Sequence, residues 1–469
     1  CAHAFPIDKR ISVYNPTNYR GVHLTTILSK VAERLIGAPL ISHLAKNHFG
    51  ANQWAFTKQR SARDLSTLCI CTWLLAICRG KKIALYLSDI SGAFDKVFKD
   101  FLLAKLYQAG VGDAFLDFLN SYLSPRVGYV TIEAAMSDAF EIADSVFQGT
   151  VLGPTLWFTF FADVAFSATQ HGGQEEIFAD DLNIFHEFDR NVSDATIQHQ
   201  LNRTRSSVHQ WGKRNRVTFD PAKEHTVVIH PTLGVGADFK LLGCLVDHKL
   251  LMVSAINATL AKARPKVTSL LRNRGFLSFS DMINQYKTHI WSFTEYVNGC
   301  IYHAAPTHLE KFDRLQEHFL HGLQSNAAHA FKQENFAPPT LRRDIGMLGL
   351  IHKRVLGLAH PAFDKLLPFQ PSSFYEANIG NIFLRHNKQI YNHNRECSNN
   401  AIFQRSIFGL VSLYNRLPQR IVNKETVSTF QSELQYIAKR RCRDNTDGWQ
   451  FSFNATYHAS HFFTVADED

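Results

Sequence analysis

The chain has 469 residues, 45% of them hydrophobic and 19% charged, with a formal net charge of +9 and a pI near 9.1. That balance excludes a disordered tail and supplies enough apolar side chains for large cores in roughly two to four domains. The first 245 residues are close to charge balance and the basic excess follows them, so an anionic partner belongs with the second half.

Eight cysteines show no CxxC pair and no Cys/His knuckle spacing, which argues against a zinc module and leaves free thiols in a reducing compartment as the expectation. The 23 histidines form no HExxH or HxH cluster and read as surface or packing residues. Asp8, Lys9 and Arg10 interrupt any secretory apolar stretch, and a start at Cys1 in place of Met suggests a piece of a longer product. The apolar runs Leu65 to Cys78 and Val151 to Ala168 read as buried helices. The first is too short to span a membrane and the second carries Asp163.

In chain order, residues 20–48 have helical spacing, with Leu28, Val31, Leu35, Leu40, Ile41 and Leu44 on the expected buried face and a break near Gly37 and Pro39. A helix follows from Ala62 to Cys78, and Gly80-Lys81-Lys82 turns the chain into a strand that ends at Asp89. Helices are expected over Asp100 to Leu106 and Asp113 to Tyr122, and a hairpin over Val127 to Ile142. Gln148-Gly149-Thr150-Val151-Leu152-Gly153-Pro154 is a loop that feeds a long apolar helix from Thr155. An acidic hairpin around Asp180-Asp181, a helix over Ile197 to Asn215, and strands over Thr226 to His230 and Phe239 to Val246 complete the first half. Beyond residue 255 the pattern is helical, with breaks at Pro306, Pro338-Pro339 and Pro368 to Pro371, and Asp467-Glu468-Asp469 at a frayed end. Hairpin-connected strands mixed with helices make the fold class α+β, not a doubly wound parallel sheet.

The acidic pair Asp180-Asp181 lies between Ile177-Phe178 and Ile184-Phe185. Adjacent carboxylates in an apolar setting require compensating positive charge, most simply a divalent metal. Asp89, closing another apolar strand, supplies a third carboxylate, and three such groups on neighbouring strand ends suit two-metal phosphoryl transfer.

The ordered segments Ser88-Asp89-Ile90-Ser91-Gly92-Ala93-Phe94-Asp95, Gln148 to Pro154 and Phe178-Ala179-Asp180-Asp181 resemble the central motifs of reverse transcriptases, most closely those of non-LTR, LINE-type retrotransposons. The resemblance extends to Asn18-Tyr19-Arg20, Leu28 to Arg34, Gln53 to Asp64, Trp211 to Lys223, Leu242-Gly243 with Asp247, and Tyr286 to Tyr296. Arg405-Ser406-Ile407-Phe408 and Tyr414-Asn415-Arg416-Leu417-Pro418 resemble the tail of such polyproteins.

The resemblance implies a right-hand polymerase. Fingers and palm with an antiparallel sheet would occupy residues 1–245, a helical thumb residues 246–345, and a helical C-terminal region that could bind RNA or DNA residues 346–469. It implies RNA-directed DNA synthesis by target-primed reverse transcription, with an RNA template, a DNA primer and dNTPs as partners, two Mg²⁺ or Mn²⁺ ions as cofactors, and no membrane. Asp89, Asp180 and Asp181, with the Ile90 carbonyl, would hold the ions. Phe94 would exclude a 2′-hydroxyl, Gln148 and Gly149 would face the incoming nucleotide, and Lys223 would be the general acid. Asp95 reads as a local cap or pairing group. Lys262, Arg264, Lys266, Arg272 and Arg274 would grip a template–primer backbone, and Lys439-Arg440-Arg441-Cys442-Arg443 would contact RNA, act as a nuclear address or simply end a helix. The implied location is nucleus and cytoplasm, as a ribonucleoprotein.

Two positions depart from the family pattern. Ala55-Phe56-Thr57-Lys58-Gln59-Arg60 has threonine where the triphosphate-binding arginine usually stands, leaving Lys58 or Arg60 to substitute, and Gly21 follows Tyr19-Arg20 where proline is favoured. A group II intron maturase-like or telomerase-like polymerase, and an impaired element that binds nucleic acid without polymerising, are the alternative readings. No endonuclease motif is visible.

Overall fold

The computed structural model describes residues 2–8, 19–47, 49–90, 92–132, 135–142, 146–370, 386–393, 397 and 400–455. Asn18, Ser91, Pro371 and Asp467-Glu468-Asp469 lie outside them. Strands β1 (Ala2–Asp8) and β2 (Tyr19–Leu24) precede helices α1 (Ile27–Asn47) and α2 (Ala62–Cys78), then β3 (Lys81–Ser88), α3 (Lys99–Gln108) and α4 (Asp113–Tyr122). Strands β4 (Arg126–Ile132), β5 (Ala135–Met136) and β6 (Phe140–Ile142) lead to α5 (Gly153–Phe161) and α6 (Val164–Thr169). The acidic hairpin is β7 (Gln174–Phe178) and β8 (Asp181–Asp189). It is followed by α7 (Asp194–Asn215), β9 (His225–Ile229), β10 (Phe239–Leu241), β11 (Cys244–Val246) and α8 (Val253–Arg272). Beyond α8 the described regular elements are helical, the longest being Pro306–Gly322, Pro339–Val355 and Val427–Arg443.

The fold is therefore α+β. One sheet joins β2, β1, β4, β5 and β6, mostly antiparallel, and a second runs β7-β8-β3-β9. The chain forms two compact units, Cys1–Thr57 with Ala84–His186 and Asn191–Thr226, and Lys58–Ile83 with Glu187–Arg190 and Val227–Asp469.

In the first unit the expected break in α1 is absent, because Pro39 lies on the exposed side, where the carbonyl it leaves unbonded meets water. The buried face also differs from the expected one. Leu28 is 82% and Leu35 74% exposed, while Glu33, Gly37, Leu40 and Leu44 face inward. The apolar run from Thr155 is two helices, since Asp163 between them accepts hydrogen bonds from Lys105 Nζ and Trp211 Nε1, each at 2.8 Å. Trp157, Phe160, Phe161 and Trp211 pack around this break as an aromatic core.

In the second unit α2 has the expected bounds and is almost wholly buried, started by the Ser61 side chain accepting from the Asp64 amide. Phe239 to Val246 is not one strand but a hairpin, because Leu242 and Gly243 both take positive φ (48° and 84°) and reverse the chain. Pro265 lies inside α8, whereas Pro306 and Pro339 open their helices, where a missing amide hydrogen costs nothing. Cys78 and Cys397 form a disulfide across 319 residues, contrary to the expectation of free thiols only; so distant a pairing leaves no spacing signature in the sequence. Cys69, Cys71, Cys244, Cys300 and Cys442 take part in no disulfide and are buried. Among the described residues no helix is long and apolar enough to cross a membrane.

Candidate active site

The acidic pair sits where β7 turns into β8. Phe178 pairs with Asp181, so Ala179 and Asp180 are the only residues at the tip, and Ala179 takes φ +59°. On either side Ile177, Leu182 and Ile184 are buried, which anchors the turn and leaves Asp180 and Asp181 half-buried. Burial, reinforced by repulsion from Asp89 and Asp180 and only partly offset by Lys223, pushes the Asp181 carboxyl up to about 7. Asp89 follows β3, the strand next to β8, and its influence on Asp181 places the three carboxylates in one electrostatic neighbourhood.

Asp89 is held from the segment before β9. Its carbonyl accepts from the Asp220 amide at 3.0 Å, Ile90 pairs with Phe219, and the Asp220 side chain accepts from the Ala222 amide at 3.1 Å, a turn that brings Lys223 round. Lys223 Nζ donates to Asp89 Oδ2. Burial alone would lower the Lys223 ammonium, but the hydrogen bond and attraction of Asp89, with Asp220 and Asp180 behind it, hold it above its ordinary value. The other oxygen, Asp89 Oδ1, is buried without a hydrogen-bond partner. Among the described residues no three His, Cys, Asp or Glu side chains are drawn together as a finished metal cage. An orphaned carboxylate oxygen beside two mutually repelling carboxylates nonetheless suits a hard divalent cation, and the residues fit one.

Phe94 lies in a short turn, Ala93–Lys96, entered through Gly92 at φ +67°. Its half-buried ring stacks on Trp157 with centroids 5.8 Å apart, and its carbonyl accepts from the Val146 amide at 2.9 Å. That bond ties Phe94 to the Gln148 loop. Gly149 takes φ +104°, which an L side chain rarely adopts, and is exposed. The Gln148 carbonyl accepts from the His23 amide at 3.0 Å, and the His23 ring stacks on Phe147 at 4.4 Å. Glu33, 3% exposed, accepts through Oε2 from the Val151 and Leu152 amides at 2.7 and 3.1 Å, where the negative charge also meets the start of α5.

Asp89, Ile90, Phe94, Gln148, Gly149, Asp180, Asp181 and Lys223 all belong to the first unit. Lys58 and Arg60 belong to the second unit, where Lys353 Nζ pins their segment through the Gln59 carbonyl and Asp64. Lys262, Arg264, Lys266, Arg272 and Arg274 also belong to the second unit and are all exposed, but they do not share one face. Arg264 turns to a cleft lined by Lys311, Arg314 and His318, and Lys266 lies over Phe293. Lys439 to Arg443 end a helix, with Lys439 Nζ bonded to Asn335.

Three residues were not singled out from the sequence. Glu33 and His23 hold the Gln148 loop, and Gln53 meets the acidic turn: its Oε1 accepts from the Ala179 amide at 2.9 Å and its Nε2 donates to the Ala179 carbonyl at 3.3 Å. The signal for Glu33 was its spacing with Gly37, Leu40 and Leu44, which puts one carboxylate on a helical stripe otherwise apolar.

Residues 7–264 match the family model described as reverse transcriptase (RNA-dependent DNA polymerase). The chain is 26% identical over 331 residues to a probable RNA-directed DNA polymerase from transposon X-element of Drosophila melanogaster, and 27% identical over 323 residues to the RNA-directed DNA polymerase from mobile element jockey of Drosophila funebris. The alignments cover 64% and 65% of this chain and 35% of each relative, so the chain spans about a third of the length of the curated relatives it matches. Among solved structures it is similar to telomerase from Candida albicans with a fragment of telomeric RNA, at TM-score 0.43 and 12% identity over 80% of this chain and 63% of that one. It is also similar to apo telomerase from Candida tropicalis, at TM-score 0.40 and 11% identity over 74% and 60%. With the family model covering more than half of its length, the chain belongs to the reverse transcriptases.

Proposed function

We propose that the chain is the polymerising part of a LINE-type element's reverse transcriptase, copying element RNA into DNA from a DNA primer, as in target-primed reverse transcription. The observation that supports the reading is the mutual repulsion Asp181 meets from Asp89 and Asp180, together with one buried oxygen of Asp89 lacking a partner. Asp89, Asp180 and Asp181, with the Ile90 carbonyl, would hold two Mg²⁺ or Mn²⁺ ions, which when bound would activate the primer 3′-hydroxyl and offset the charge of the triphosphate.

The remaining roles fall to the chain's own side chains. Phe94, backed by Trp157, resists displacement and would leave no room beneath the sugar for a 2′-hydroxyl, selecting dNTPs. The Gln148-Gly149 loop would lie against the incoming nucleotide, with Gly149 permitting close approach. Lys223 keeps its proton because of Asp89 and would give it from Nζ to the departing pyrophosphate as the O–P bond breaks. Lys58 or Arg60 would contact the triphosphate in place of Thr57. The exposed Lys262, Arg264, Lys266, Arg272 and Arg274 would meet the phosphates of the template–primer duplex. In this reading residues 1–245 are fingers and palm, 246–345 thumb, and 346–469 a C-terminal nucleic-acid-binding region.

The test is primer extension on an RNA template with dNTPs. The unsubstituted chain should extend the primer and Asp180→Asn should not; undiminished synthesis by Asp180→Asn would overturn the site.

A further inference from the structure

The acidic turn is conformationally costly. Ala179 occupies the left-handed region at φ +59°, as the first central residue of a two-residue hairpin turn is called on to do, but its Cβ crowds the backbone there and makes the conformation costly for any residue other than glycine. It is held from outside the hairpin. Gln53, 2% exposed, faces the Ala179 peptide with both ends of its amide, Oε1 accepting at 2.9 Å and Nε2 donating at 3.3 Å. The amide orientation follows from its partners: Oε1 also accepts from the Ala55 amide at 3.0 Å, so the atom between two N–H groups is the oxygen. The Ala179 carbonyl receives a second bond from Trp157 Nε1 at 3.1 Å.

The Gln53 backbone is fixed just as firmly. Asn52, Gln53 and Trp54 run parallel to β7, with the Ile177 amide donating to the Asn52 carbonyl at 3.0 Å and the Trp54 amide to the Ile177 carbonyl at 2.9 Å. On either side Asn52 Nδ2 donates to Glu175 at 3.1 Å and Trp54 Nε1 to Glu176 at 2.6 Å. A buried glutamine on so rigid a segment can impose a conformation on its partner instead of following it.

We infer that Gln53 is a positioning residue of the polymerase site: its side-chain amide clamps the Ala179 peptide in the left-handed conformation that sets the direction of Asp180 and Asp181. The inference rests on the polymerase reading above. As a positioning residue Gln53 acts through the turn, so its loss should lower turnover more than nucleotide affinity.

The test is a double-mutant cycle. Gln53→Met keeps the volume and removes both hydrogen bonds, and Ala179→Gly removes the Cβ that makes the left-handed conformation costly. Gln53→Met should lower kcat for primer extension roughly ten- to a hundred-fold, with KM for dNTP changed less than about threefold. In the Ala179→Gly background the same substitution should cost about fivefold less, because glycine enters that conformation without help. The same cycle read as melting temperature should show a smaller loss in the Ala179→Gly background. Unchanged kcat in Gln53→Met, or equal losses of kcat in both backgrounds, would overturn the clamp. Should the unsubstituted chain extend no primer, the polymerase reading fails, and equal melting losses in both backgrounds would still overturn the clamp by itself.

Discussion

At the scale of single residues, the site is held by buried polar groups that bond backbone, not by its acidic residues alone. Glu33 is the clearest case after Gln53. One of its oxygens satisfies two successive amides ahead of α5, and the other accepts from Ser29 Oγ at 3.3 Å. Removing the side chain strands the amide of Leu152, a fully buried residue, together with that of Val151. A buried unsatisfied donor costs about 1–3 kcal/mol, so Glu33→Ala should destabilise the protein by about 2–4 kcal/mol in urea unfolding. It should also raise KM for dNTP, since the Gln148 loop loses an anchor. Glu33→Gln retains an acceptor oxygen and should recover most of both losses. An alanine variant as stable as the parent would remove Glu33 from the account.

At the scale of elements, what the sequence made legible depended on how local the cause was. Helix α2 was read with its exact bounds because Ser61 caps it and an unbroken apolar run fills it. The β7–β8 hairpin was legible because apolar residues flank a charged pair at its turn. Helix α1 was misread in both face and continuity. Its partner is a loop more than a hundred residues away, and what faces that loop is a glycine and a glutamate, which a count of apolar residues passes over. The β10–β11 hairpin was missed because Leu242 carries no turn signature, although the two-residue turn needs positive φ there. The close approach of α1 is itself testable. A Cβ at Gly37 would fall 2.5 Å from Leu152 Cδ2, inside a packed core, so Gly37→Ala should cost about 1–3 kcal/mol by urea unfolding. In a Leu152→Ala background, with that methyl group removed, the same substitution should cost less. Additive losses would mean that the two do not meet.

At the scale of the whole molecule, the acidic site belongs to the first unit and the basic surplus to the second, whose interior is rich in histidines that cannot easily take a proton. His303, His352 and His386 are all buried with proton affinity lowered by that burial. His303 is the extreme case. Burial draws it down to about 4, against modest support from its bond to the Leu250 carbonyl at 2.9 Å and from Asp247, and with Arg405 opposing. Its Nδ1 is buried without a partner, so a second proton there would be a charge with no acceptor. Because the folded value lies below the unfolded one, near 6.5, the unfolded chain takes up the proton first. This contribution to stability is therefore complete above about pH 6.5 and is lost as the pH falls towards 4, by about 3 kcal/mol. His303→Gln keeps a donor for the Leu250 carbonyl and has nothing to titrate. In denaturant unfolding followed by circular dichroism at pH 7 and pH 5, the parent should lose more stability on acidification than His303→Gln. Parallel losses in the two proteins would show that the acid sensitivity of the second unit lies elsewhere.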